Sequence, residues 1–348
     1  IAQGNLPAGW ELIDGVRSVA ANTASSDPYR PFYDPVRPEA PSLAVTMSHI
    51  GRSFGVTLPF DPEPVVLPSN RVTLTPSAAV LNANVGNRTI TIGVSDLAPA
   101  NAQLTLDMPQ GWRSERIETG FRVTAPADVS PGLFRIAARV DGVPAQTVRL
   151  IDYDHVGPTA RARQAELTIA VMDVELPDSK VGYIGAGNDR VGDWLPAMGA
   201  DVTELTDADL ARDTALSRYD TIVVGIFAMR FRPGLTSYVE RLHRWTEEGG
   251  TLVTLYHRPW DNWDPDTVPP RRIEIGSPSL RWRVTDETAT VTQLAEHPVL
   301  SHPNPVGEAD WSGWVKERGL YFAKNWDTSY TPLISMADPG EDPLTGAL

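Results

Sequence analysis

The alternation of strand and helix signals between residues 180 and 259 restricts the fold more than any other stretch of the chain. In order it reads strand (KVGYI), glycine-rich turn (GAGN), helix (DRVGDWLPAMG), strand (DVTEL), short helix (TDADLARD), strand (YDTIVVGI), helix (PGLTSYVERLHRWTEEGG) and strand (TLVTLYHRP). Val191, Trp194, Leu195 and Met198 recur at helical spacing, as do Leu235, Tyr238, Val239, Leu242 and Trp245. TIVVGI and TLVTLY are short, nearly continuous apolar runs rich in β-branched residues, the pattern of strands covered on both faces. The punctuation agrees: Pro233 suits a first helical turn, Gly199 and Gly249 stand where helices stop, and Thr206 with Asp209 spells a capping box. Such alternation joins parallel strands by right-handed crossovers, so the expected fold is a flavodoxin-like, doubly wound parallel α/β sheet. Ligands of these sheets bind beyond the carboxyl ends of the strands, where the strand order switches. There the tips Gly185-Ala186-Gly187-Asn188, Phe227-Ala228-Met229-Arg230 and Tyr256-His257-Arg258 would converge.

Ahead of this stretch the pattern changes. Residues 43–153 hold short alternating runs (FGVTL, RVTLT, RTITIGV, QLTLDM, FRVTA, LFRIAARV, QTVRLI) separated by turn residues such as Pro59, Asn84, Gly86 and Gly111, which predicts an antiparallel β-sandwich. The phrases LTLDMPQGW and FRVTAPADVSPGLFRIAARV resemble the small immunoglobulin-like sandwich modules attached to carbohydrate-active enzymes, and a generic immunoglobulin-like spacer reads equally well. Residues 1–42 form a lead-in rich in Pro, Ala and Ser, residues 154–165 read as a polar linker, and ELTIAVMDVELP reads as an extra strand entering an α/β domain over 166–348. Within that domain residues 260–326 form an irregular excursion containing Trp260, Trp263, Trp282, Trp311, Trp314 and Trp326 of the chain's ten tryptophans. An excursion this aromatic suits a lid or a docking surface. The first residue is Ile, which reads as a processed or excised piece, and the last run, PLTGAL, looks like the opening of a strand.

The balance of charge and residue types removes several function classes. With 44 acidic against 30 basic side chains, a nucleic-acid backbone or an anionic membrane is an unfavourable main partner. No run is apolar for long enough to span a bilayer as a helix. Cysteine is absent, so disulfides, thiolate metal sites and cysteine nucleophiles are all excluded.

Among motifs, GAGNDRVG invites a dinucleotide reading, but the third glycine of that fingerprint would fall at Arg190. An anion at this helix N-terminus stays open. The strand end Leu255-Tyr256-His257-Arg258-Pro259 lacks the Cys or Ser and the small neighbours of a nucleophile elbow. His257, followed by Arg258, Asp261 and Asp264, offers either a His257–Asp261 general-base pair or a histidine hydrogen-bonded beneath a loop. A carbohydrate pocket at the same strand tips would draw on Asn188, Arg230, His257, Arg258, Trp260 and Trp263. His297 and His302, each followed by proline, cannot share one helical face, so no metal site is expected in this chain.

The phrases KVGYIGAGNDRV, SRYDTIVVGIFAMRFRPGL, EEGGTLVTLYHRP, SLRWRVTDETATVTQLAEHPVL and DWSGWVKERGLYFAKNWD resemble the C-terminal half of large bacterial members of the PIG-L/LmbE-like N-deacetylase family. The resemblance covers residues 43–348. It implies a β-sandwich followed by a degenerate domain similar to class I glutamine amidotransferases and ThuA-like proteins, without their nucleophile. In that family an N-terminal domain holds zinc in an Ala-His-Pro-Asp-Asp-Glu motif and removes an acyl group from an amino sugar or a related N-acyl substrate. Neither His297-Pro298 nor His302-Pro303 continues with two aspartates, so no catalytic residue transfers to this chain and zinc is expected only in a missing catalytic domain. The expected function is therefore a non-catalytic C-terminal region, scaffold or substrate-binding part, of a zinc-dependent N-deacetylase, with that domain as partner and a cytoplasmic location implied by the family. The rival readings are a carbohydrate-binding module at the switch-point crevice and a free-standing hydrolase using His257 and Asp261.

Overall fold

The computed structural model describes residues 10–13, 16–21, 42–59, 65–153 and 159–348. Most of the lead-in and the first part of the linker, residues 154–158, lie outside them. The chain forms two compact units, Ile1–Ala83 with Asn87–Met172, and Asn84–Gly86 with Asp173–Leu348.

In the first unit, alternating inward residues build two sheets around one core. One sheet has six strands in the order Arg113–Ile117, Gly120–Thr124, Thr89–Ala98, Arg71–Thr75, Gln146–Ile151 and Thr159–Gln164. The other sets Gly132–Val140 between Val143–Pro144 and Glu166–Met172, with Ala78–Asn82 outermost and Leu104–Asp107 also pairing Gly132–Val140. Val72, Ile92 and Val123 from the first sheet meet Ile136, Leu167 and Ile169 from the second, all fully buried. Burial of each such side chain stabilises by about 1.5–3 kcal/mol. Both sheets are mixed, because Gln146–Ile151 runs parallel to Arg71–Thr75 and Glu166–Met172 runs parallel to Ala78–Asn82. The purely antiparallel sandwich expected from the turn spacing is not what forms. Alternation reports which face is inward; it carries no information on strand direction.

The expected linker and entry strand are corrected too. Thr159–Gln164 pairs with Gln146–Ile151, and Glu166–Met172 belongs to the sheet of Gly132–Val140, so the division falls after Met172. Leu167, Ile169 and Val171 point into the first unit's core, which fixes the strand there. Of the lead-in, Trp10–Ile13 and Val16–Ala21 form strands, the latter alongside Val65–Pro68.

In the second unit four short parallel strands lie in the order Asp201–Glu204, Lys180–Ile184, Thr221–Val224, Thr251–Thr254. Ile184, Ile222 and Val224 pack against Leu210, Leu216, Met229, Leu235, Leu242 and Trp245. Thr206 caps its short helix as expected, exchanging backbone and side-chain hydrogen bonds with Asp209 at 3.0 and 3.3 Å. The flavodoxin-like doubly wound fold does not form, however. The two outer strands are mostly exposed, so TLVTLY is not covered on both faces, and the helix Val191–Met198 buries none of its residues. Among the described residues after Thr254 there is no further crossover unit. Small antiparallel pairs take its place: Ile273–Ile275 with Ala323–Trp326, Arg283–Val284 with Gly319–Leu320, and Ile334–Met336 between Thr292–Gln293 and Leu344–Ala347. Prolines 259, 265, 269, 270, 278, 298, 303 and 305 supply the reason, since each removes a backbone donor and opposes a crossover helix.

Candidate functional site

The ends of the parallel strands are closed by side chains of the chain itself. Between Ile184 and Val224, Asp189 places its carboxylate so that Oδ1 accepts from the Tyr183 hydroxyl at 2.6 Å and the Val191 N–H at 3.0 Å, while Oδ2 accepts from the Ile226 N–H at 2.7 Å. Gly225 makes room for this arrangement, because a Cβ there would stand 2.8 Å from Asp189 Oδ2. Burial opposes the charge on Asp189, but the Tyr183 hydroxyl and the two backbone N–H groups outweigh it and hold the carboxyl below its ordinary range. Burial and the same carboxylate push the Tyr183 phenol well up, so it stays a donor. Asn188, expected to face a ligand, is exposed and donates to the Ala186 carbonyl of its own turn at 2.9 Å.

The next two tips interlock. The Phe227 N–H donates to the Tyr256 carbonyl at 3.2 Å, and the Met229 N–H donates to His257 Nε2, also at 3.2 Å. An amide can only donate, so Nε2 is the unprotonated nitrogen and Nδ1 carries the hydrogen, which goes to the Leu255 carbonyl at 2.7 Å. His257 is 3% exposed, and its burial pushes the imidazole below its ordinary pKa. Asp261, fully buried, accepts from the Arg258 N–H at 2.7 Å and from Arg258 Nε and Nη2 at 2.9 and 2.8 Å, with Arg230 3.7 Å away. The expected His257–Asp261 pair is therefore corrected: each is engaged elsewhere, His257 with backbone and Asp261 with arginine.

A pH dependence follows from the neutral imidazole. The unfolded chain takes up this proton near pH 6.5 and the folded chain only below that, so stability falls as pH drops below about 6.5, by up to ~1.4 kcal/mol per pH unit. His257→Gln should flatten that slope in urea unfolding followed between pH 7 and 5. An unchanged slope would contradict a buried neutral ring.

No family model matches the chain, and no curated protein matches it. Among solved structures, it is similar to a Bacteroides fragilis chain whose assignment as an alpha-galactosidase/melibiase is itself provisional, at 15% identity and a TM-score of 0.18. The match covers 53% of this chain and 37% of that one. A likeness that slight carries no argument about fold or activity.

What the tips leave to solvent is a ledge. Trp260 is 49% exposed and meets the Tyr321 ring edge-on at 4.9 Å, while the Arg258 guanidinium lies 4.0 Å from the Phe227 ring and 5.5 Å from that of Trp260. The Arg230 side chain is also half exposed. Trp263 is partly buried instead, donating its Nε1 hydrogen to the Ile273 carbonyl at 2.9 Å, with its ring 5.5 Å from that of His257. The structure sets Arg258 beside Trp260 and both Arg230 and Arg258 toward Asp261; sequence reasoning passed over Asp189 and Tyr183. The signal for Asp189 was available: an acidic residue two positions before a helical run is a ready acceptor for its first N–H groups. Among the described residues no three His, Asp or Glu side chains are grouped to hold a metal ion.

Proposed function

We propose that this chain is a non-catalytic scaffold or substrate-binding part of a zinc-dependent N-deacetylase polypeptide that acts on N-acyl amino sugars or related substrates. The observation that supports this reading is the engagement of the polar groups at the strand ends. Asp189 and Asp261 spend both carboxylate oxygens, and His257 both ring nitrogens, on partners within the chain. A general base needs a free acceptor within reach of the proton it abstracts, and these groups offer none. The zinc chemistry then belongs to a catalytic domain elsewhere in the polypeptide, as the family resemblance implies. Incubating this chain with zinc and N-acetylglucosamine is expected to release no acetate above a protein-free blank. Zinc-dependent turnover that a chelator abolishes would reject the reading.

The exposed ledge supports a second reading, a carbohydrate-binding surface at the strand tips, because Trp260 offers a flat ring beside the Arg258 guanidinium. Titration with neutral oligosaccharides tests it. Saturable binding should weaken on Trp260→Ala, and indifference to that change would count against the ledge.

A further inference from the structure

The second unit also contains a cavity of about 660 Å³, bounded by the Glu287 turn, the short helix Glu308–Trp311, the residues that follow it, and Arg318. That volume is in the range of sites that hold small organic ligands, about 300–1,000 Å³. Two features of its wall define a ligand. The rings of Trp311 and Trp314 stack with centroids 5.8 Å apart and planes inclined by 22°, and Trp314 keeps 42% of its surface exposed. Beside them Arg318 bridges the two rims: Nε donates to the Ala289 carbonyl at 3.0 Å and Nη1 to the Trp311 carbonyl at 2.7 Å. Its guanidinium carbon lies 5.5 Å from the Trp314 ring. Among the described residues Arg318 Nη2 meets no acceptor and the Glu308 carboxylate has no partner, whereas Glu287 accepts from the Lys316 N–H.

We infer that this cavity binds a neutral saccharide of one or two rings. The chemistry follows by elimination. A hydrocarbon would strip water from Glu287, Glu308 and Arg318 without replacing its hydrogen bonds. An anion would meet two carboxylates, and a cation would meet the guanidinium. A polyol satisfies both signs, with hydroxyl oxygens accepting from Arg318 and hydroxyl hydrogens going to the glutamates, while its C–H face covers an indole ring. The site is separate from the strand-tip residues. It deepens the substrate-binding reading by naming a ligand class, but it rests on the cavity alone and survives if the N-deacetylase assignment fails, since its test reads binding and not turnover.

The test is a titration of the full chain, read by tryptophan fluorescence and calorimetry, with glucose, galactose, N-acetylglucosamine, maltose, cellobiose and N,N′-diacetylchitobiose. Glucosamine and glucuronate serve as charged comparators. At least one neutral sugar should bind saturably at concentrations up to about 10 mM. Trp314→Ala should weaken that binding on the order of tenfold, through the lost stacking face. Trp314 is 42% exposed, so its truncation leaves the core filled, and Trp314→Phe, which keeps a ring, should fall between the two. Leu133→Ala, at an exposed side chain of the first unit that is no part of the cavity wall, should leave the affinity within about twofold, and Glu308→Gln within about threefold, because an acceptor is retained. No saturable binding across the panel, tighter binding of either charged sugar than of its neutral counterpart, or indifference to both Trp314 variants would overturn the assignment.

Discussion

Asp261→Ala is expected to destabilise the second unit by about 3 kcal/mol, the lower end of the cost of breaking a buried ion pair from one side. The carboxylate is fully buried and serves the backbone N–H, Nε and Nη2 of Arg258 together. Its removal leaves a guanidinium whose side chain is only 23% exposed without its counter-charge, and that residual exposure keeps the loss from being larger. Asp261→Asn retains one acceptor and should cost less. Urea unfolding followed by tryptophan fluorescence checks both. A loss below about 1 kcal/mol for the alanine variant would show the pair to be marginal. Burial raises the Asp261 pKa, but Arg258 outweighs it and holds the carboxyl below its ordinary value of 3.8. The pair's contribution is thus fully present above about pH 4 and is lost as pH falls through the folded value, in a window well below that of His257.

Gly120→Ala should cost the first unit about 3 kcal/mol or more. Gly120 sits opposite Gly93 in the six-stranded sheet with φ at 153°, where an L side chain is strained. A Cβ there would collide with the Ile92 carbonyl oxygen and stand 3.1 and 3.2 Å from the Ile92 carbonyl carbon and the Gly93 Cα. These contacts are backbone, which no rotamer change relieves, so the two strands must separate. Gly55→Ala is the control, with nothing within 4 Å of the added carbon, and should change stability by less than about 0.5 kcal/mol. Chemical denaturation of the two variants side by side decides the matter. Equal midpoints would mean that the sheet accommodates the methyl group.

The fold was legible where local physics governs it. Apolar runs marked the strands Arg71–Thr75, Gly132–Val140, Lys180–Ile184 and Thr221–Val224, and Thr206 with Asp209 announced its cap. What could not be read was pairing. Glu166–Met172 has the same alternation whether it enters a new domain or closes an old sheet, and only the core it meets decides between them. The flavodoxin-like expectation failed for a related reason: βαβ alternation over one stretch does not say how many units follow, and the proline density after Thr254 is the local signal that opposes another. At the site, proximity was legible and partnership was not. His257, Arg258 and Asp261 lie within five positions of one another, but which of them pair depends on a Met229 amide nearly thirty residues upstream.

Asp189 acts as a tethered competitor for the donors at the strand ends. Anchored to the same backbone as the Val191 and Ile226 amides it occupies, it faces them at an effective concentration on the order of millimolar or more. A free phosphate or carboxylate at cellular abundance must outbid an oxygen that never diffuses away, at the further cost of severing the Tyr183 contact. Backbone donors of the kind that parallel sheets can turn toward a ligand are here taken by one side chain of the chain itself.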